Sequence, residues 1–166
     1  MIFKQWAQVK DGTKAQTRRP VKEDEFAVNQ HDHMLPYPPF GGDEIDTVYS
    51  AMGAMKWQVA RTYAVQPGRG KKSVGRIRIT KIRRERLGDI SDEDCFAEGV
   101  IEKPLASFGN TGLVYVAWQC PVCGETLNES PIAAYACLWN HVYDNGAWER
   151  MKDDDVWVLE FERCEE

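Results

Sequence analysis

The sequence predicts an α+β domain in which short strands, curled into a small sheet or barrel, are wrapped by two or three helices. Three observations lead there. Residues 74–82 and 156–161 form short apolar or alternating runs, as strands do. Residues 91–98 and 131–143 carry helix-start and helix-stop residues in the right order. The 166 residues are 43% hydrophobic, enough for one core, with no internal repeat, heptad run or low-complexity tract.

At the N-terminus Ile2, Trp6 and Val9 recur at helical spacing, and Gly12 is placed to stop the helix. The chain from Gly12 to Pro20 then leaves the helix through a turn into a strand. Residues 27–58 are poorly patterned and include the turn-rich Leu35-Pro-Tyr-Pro-Pro-Phe-Gly-Gly42. They read as an excursion or lid with a short helix near residues 48–57. Tyr63-Ala-Val65 reads as a strand ending at the Pro67-Gly68 turn. In 74–82, Ile77 and Ile79 face one way while Arg76 and Arg78 face the other, which sets two guanidinium groups side by side. Ser91 is placed to cap a short helix, with Asp94 three residues on and Gly99 as its stop. Residues 113–118 read as a strand leading into Cys120. Residues 131–143 read as a helix with Pro131 at its start and Asn145-Gly146 beyond its end. The last strand turns Trp157, Leu159 and Phe161 to the core.

The net charge of -5 hides a division: residues 1–86 hold 17 Lys/Arg against 9 Asp/Glu, and residues 87–166 hold 4 against 17. Arg61 to Arg86 contains ten basic side chains and one acid, Glu85. Such a stretch either collects phosphates or pairs with the acidic half across the fold. No apolar run reaches the roughly 18–20 residues of a membrane span. The N-terminus lacks the apolar core and cleavage site of a secretory signal. The expectation is a cytoplasmic protein with no membrane partner.

Directly after the first helix stands Gly12-x-Lys14-x-x-Thr17-x-Arg19. Three later features agree with it in order and spacing. They are the basic strand Gly75-Arg-Ile-Arg-Ile-Thr80, the Leu87-Gly-Asp-Ile-Ser-Asp-Glu93 stretch leading to Glu98, and Leu138-Trp139 ahead of a last strand bearing Trp157. Together they resemble the ASCH domains, relatives of the PUA-like RNA-binding barrels. The likeness covers residues 1–26, 59–103 and 131–162. It implies one domain over 1–166, a small PUA-like β-barrel with flanking helices and insertions at about 27–58 and 104–130. Tyr63-Ala-Val-Gln-Pro-Gly-Arg-Gly-Lys71 is similar to members found in phages and prophages. Within the superfamily the chain is similar to the small bacterial N4-acetylcytidine amidohydrolases. That resemblance implies Lys14, Thr17 and Glu98 as catalytic residues. Arg18 and Pro20 depart from the flanks of the motif, and this chain is longer than those minimal enzymes.

Amide hydrolysis needs a nucleophile, a base and an acid for the leaving amine. Thr17 could attack or position a water; Lys14 could accept its proton if burial or a neighbouring cation keeps the amine neutral. Glu98 could donate to the departing cytosine N4. Lys14 and Thr17 are three residues apart, so they share a site only where the motif is a turn just past Gly12, with Arg19 joining Thr17 on the following strand. Two other readings stand beside catalysis: binding of a modified base or RNA without chemistry, and a structural ion pair between Lys14 and Glu98. Arg18, Arg19, Arg69, Lys71, Arg76 and Arg78 are the candidate contacts to RNA or a nucleoside. Arg69-Gly-Lys71-Lys72-Ser73 is no P-loop, because Val65 and Lys72 stand where that motif needs Gly and Ser or Thr. Tyr37, Phe40 and Trp57 could stack on a base or cover an apolar edge.

Five cysteines in a reducing compartment argue against a disulfide framework. Cys120-Pro-Val-Cys123 is followed by Cys137 and, one helical turn later, by His141. The pattern C-x2-C-x13-C-x3-H has the spacing of a closed structural zinc site that would pin the 104–130 segment to the helix. Free thiols with Cys137 in the core are the other reading. Cys95 and Cys164 have no partner pattern. His31 and His33 suit an exposed loop better than a second metal site. No organic cofactor is expected.

Overall fold

The computed structural model describes residues 1–29, 44–105, 116–124 and 127–164. In chain order its first half holds α1 (Trp6–Asp11), β1 (Gln16–Pro20), β2 (Phe26–Val28), β3 (Thr47–Tyr49), β4 (Met55–Gln58), β5 (Thr62–Val65) and β6 (Gly75–Arg86). The second half holds α2 (Asp92–Ala97), β7 (Ile101–Pro104), β8 (Val116–Gln119), β9 (Leu127–Asn128), α3 (Pro131–Val142), α4 (Ala147–Met151) and β10 (Asp155–Cys164). The main sheet runs β1-β10-β6-β5 and is antiparallel throughout. Two smaller antiparallel sheets, β2-β3-β4 and β7-β8-β9, stand beside it.

β10 is the middle of the fold. Val156, Trp157, Val158 and Leu159 are all fully buried, so both of its faces are covered. Val156 and Val158 pack with Leu87, Ile90, Tyr135, Leu138 and Trp139. Trp157 and Leu159 pack with Ala27, Ile45, Val48, Ile79 and Ile82. A strand buried on two sides has no reason to alternate, which explains the run Val-Trp-Val-Leu. The single core face expected from Trp157, Leu159 and Phe161 is thus half of the arrangement.

The helix ends follow local rules. Gly12 closes α1 at φ 87°, a left-handed conformation that glycine adopts without cost. Ser91 caps α2 by accepting the Asp94 N–H, and three acids in the first turn favour the helix dipole. Ser130 caps α3 with Pro131 in its first turn.

Several expectations are corrected. Among the described residues the strands form no closed barrel. Layers of other elements cover the main sheet on both faces, so it has no need to curl onto itself. The short helix expected near 48–57 is instead the hairpin β3–β4, turning at Gly53 with φ 71°. Its β-branched Thr47 and Val48 and aromatic Tyr49 and Trp57 favour strand, and Tyr49 stacks on Phe26 at 5.4 Å. Ile2 bridges to Gln66 rather than joining α1. The strand expected at 113–118 is described from Val116 onward. His31, His33, Tyr37 and Phe40 lie outside the described residues. No helix among the described residues is long and apolar enough to cross a membrane.

Truncating β10 tests this architecture. Leu159→Ala should cost about 2–5 kcal/mol in urea unfolding. A loss below about 1 kcal/mol would contradict a strand buried on both faces.

Candidate active site

The turn past Gly12 is fixed by Thr13, whose N–H and hydroxyl donate to Asp11 Oδ1 at 2.9 and 2.6 Å. Lys14 N–H then donates to the Gln8 carbonyl at 3.0 Å and Ala15 N–H to the Ala97 carbonyl at 2.9 Å. These bonds join α1, the start of β1 and the end of α2 at one point. Thr17 and Arg19 share one side of β1. Glu98 caps the C-terminal end of α2. Gly99 follows at φ 99°, a left-handed conformation that favours glycine, and a Cβ there would fall 2.8 Å from Gln8 Oε1.

Around Glu98 the charges are closely ordered. Lys14 Nζ donates to Glu98 Oε2 at 2.6 Å and to the Glu98 carbonyl at 2.8 Å. Arg18 Nη1 reaches the other carboxylate oxygen at 3.4 Å. Side-chain exposures of 1% for Lys14, 0% for Arg18 and 4% for Glu98 put all three out of water. Arg18 also donates to Glu85, to Asp94 Oδ2 at 2.6 Å and to Gln16. Arg83 donates to the same Asp94 oxygen at 2.6 Å and pairs with Glu85 and Glu160. Burial lowers the Lys14 pKa from its ordinary 10.5 against the opposing pull of Glu98. At Asp94 burial works the other way, but bonds from Gln16 and Arg18 hold the carboxyl below its usual value. Burial raises Tyr135 well above the ordinary phenol value. It pushes the Cys95 thiol up to about 12, which leaves that residue inert.

Glu98 and Thr17 line a cavity of about 260 Å³ together with Arg18 and Arg19. Tyr135, Trp139 and Tyr143 from α3 and its end also line it; Phe3, Lys4 and Gln5 complete it from the N-terminal segment. Lys14 stands behind Glu98 rather than in the lining. Thr17 and Glu98 therefore share one cavity lining, and Lys14 reaches it through Glu98. The buried Lys14–Glu98 ion pair is present as well.

The remaining candidates divide. Arg69 and Lys71 are exposed on the β5–β6 turn. Arg76 lines a different cavity with Lys10 and Arg163. Arg78 stands 3.7 Å from Glu162. Arg83, Arg84 and Arg86 pair with acids of the chain, so part of the basic stretch is matched internally. Among the described residues Arg69, Lys71, Lys72 and Arg76 make no ion pair. Trp57 lies outside the cavity lining, with Lys56 Nζ 4.4 Å from its ring. Phe3, Lys4, Tyr135 and Tyr143 have no sequence signal; only tertiary packing brings them to the motif.

On the other face of α3 a second cluster forms. Cys123 Sγ is 3.2 Å from Cys120 Sγ and 3.0 Å from Cys137 Sγ, and all three thiols are free. These three cysteines could hold a metal ion. His141 Nδ1 is 3.6 Å from Cys123 Sγ. A tetrahedral zinc site needs about 3.8 Å between sulfurs and about 3.5 Å from sulfur to nitrogen. The sulfurs need to spread by about 0.6 to 0.8 Å; the imidazole is at distance from Cys123 alone and stands outside the three-cysteine cluster.

Compared with family models, with curated proteins and with solved structures, the chain matches none of them.

The Glu98 pair makes a stability prediction. Lys14→Ala should cost about 3–5 kcal/mol in chemical denaturation, because it strips a buried carboxylate of its closest cation. Lys14→Met combined with Glu98→Gln should recover most of that loss. If the single and double variants are equally unstable, the pair is not what holds this corner together.

Proposed function

We propose that the chain is an ASCH-type relative of the PUA-like proteins and an amidohydrolase acting on a nucleoside or an RNA base. It removes an acyl group from the N4 amide of a modified cytidine. The observation that carries this reading is the buried Lys14–Glu98 contact behind Thr17 in an aromatic-walled cavity. The Gly12-to-Arg19 motif singles out two of these residues without reference to packing.

A planar base has Trp139 and Tyr143 to lie against. The Thr17 hydroxyl, as nucleophile or as the group holding a water, brings oxygen to the acyl carbon. The proton released goes to the Lys14–Glu98 pair, of which Glu98 is the member in the lining. When the C–N bond breaks, Glu98 in its acid form protonates the departing N4. Water supplies the remaining oxygen and protons, so cytidine and the carboxylic acid leave. The scheme needs one proton in the Lys14–Glu98 pair, placed on the carboxyl. Their 2.6 Å contact gives the proton a direct path between the two atoms, and burial lowers the Lys14 pKa.

The test is release of acetate from N4-acetylcytidine, free and within RNA. Thr17→Val and Glu98→Gln should each slow release by roughly 10²- to 10⁴-fold. The rate should fall on the alkaline side as the pair loses its last proton, below the ordinary lysine value of 10.5. No acetate from either substrate over hours at high enzyme concentration sinks the enzyme. Ligand binding without release would make the chain a modified-base reader.

We also propose zinc as the ion of the Cys120, Cys123 and Cys137 cluster, with His141 as fourth ligand. Three thiolates and an imidazole are a donor set zinc favours, and four protein ligands leave no open position for chemistry. The ion would tie the segment before α3 to that helix. Purified protein should contain one zinc per chain, and Cys123→Ser should lose it and lower the melting temperature. Metal-free protein with the wild-type melting temperature would remove the site.

A further inference from the structure

We infer that the cavity mouth carries a phosphate subsite built on Arg19 and Lys4, so that its ligand is a nucleotide, free or within RNA, rather than an uncharged nucleoside. The ligand's identity rests on the base-binding reading above; the subsite rests on the distribution of charge. Among the described lining residues Glu98 is the only carboxylate, and Lys14 and Arg18 already face it. Arg18 is further engaged by Glu85 and Asp94. Two cations of the lining remain.

Arg19 is half-buried and held entirely by neutral groups. Its Nη2 donates to the Ile2 carbonyl at 2.8 Å, its guanidinium carbon lies 5.7 Å from the Phe3 ring centre, and its side chain bonds that of Tyr143. Lys4 Nζ donates to the His141 carbonyl at 2.6 Å. Neither cation has a carboxylate partner among the described residues. Their contacts fix position without cancelling charge, which is how an anion site is prepared in advance. The planar guanidinium offers paired N–H donors that match two oxygens of a phosphate. Beside them in the lining stand Trp139 and Tyr143, ring centres 4.4 Å apart. A ligand with a flat ring and a phosphate satisfies both groups, and a nucleotide is such a ligand.

The experiment is calorimetric titration with cytidine, cytidine 5′-monophosphate, inorganic phosphate and a short single-stranded RNA containing cytidine. At low salt the monophosphate should bind at least roughly tenfold more tightly than cytidine, the margin expected of a charged hydrogen-bonded pair. Added salt should shrink the margin. Arg19→Ala should bring the ratio close to one. Lys4→Gln, at an exposed position, should reduce it severalfold. RNA losing the same factor in Arg19→Ala assigns the subsite to a phosphodiester of a strand; the mononucleotide alone losing it assigns a free nucleotide. Equal binding of cytidine and its monophosphate overturns the subsite and leaves the base reading intact. A preference for the monophosphate that survives both substitutions overturns it too. If neither cytidine nor its monophosphate binds, the base reading fails and inorganic phosphate decides. Saturable binding lost in Arg19→Ala sustains the subsite, and no binding overturns it.

Discussion

A carboxylate out of water is tolerated only when cations and hydrogen bonds replace its hydration, and Glu98 is such a carboxylate. Its position dictates much around it. Lys14 must come from the turn and Arg18 from the strand, which sets the four-residue spacing between them. Arg18 is itself fully buried and needs more than one partner, so Glu85 and Asp94 are drawn in. They in turn bring Arg83. The chain of pairs binds β1, β6 and α2 into one corner. Gly12 and Gly99 belong to the same constraint: the first lets the chain turn from α1 toward the carboxylate, and the second leaves room for Gln8 beside it.

The other organising element is α3, which works on two faces. Tyr135, Leu138 and Trp139 are buried against β10 and line the cavity. Cys137 and His141, one turn apart, face the thiols of Cys120 and Cys123. Anything that fixes the cysteine side of this helix also fixes the aromatic wall. The Lys4 bond to the His141 carbonyl carries the connection on to the N-terminal segment.

What the sequence makes legible is local. Gly12, Ser91 and Pro131 act within a turn of their own positions, and the structure places helix ends at each. The Gly12-to-Arg19 spacing and the cysteine spacing work the same way, since each concerns residues a few positions apart. What escapes is what distance decides. The aromatic wall of Tyr135 and Tyr143 lies more than a hundred residues from Thr17 in the chain. The pairing of Arg83 with Asp94 and Glu160 and of Arg84 with Asp155 depends on which strands and helices become neighbours. That the strands among the described residues form no closed barrel has the same origin: strand patterns predict a sheet, but whether it closes depends on what covers its faces. In β3 and β4 the fault is different. Three- and four-residue strands separated by a turn are too short for periodicity to reveal.

The most direct test of the central claim is a crystal structure of Thr17→Val soaked with N4-acetylcytidine 5′-monophosphate. The base should lie against Trp139 and Tyr143, with the acyl carbon at side chain 17 and the amide nitrogen facing Glu98. Ligand bound elsewhere, or none in this cavity at saturating concentration, would contradict the claim that the residues around Glu98 form an amide-cleaving site.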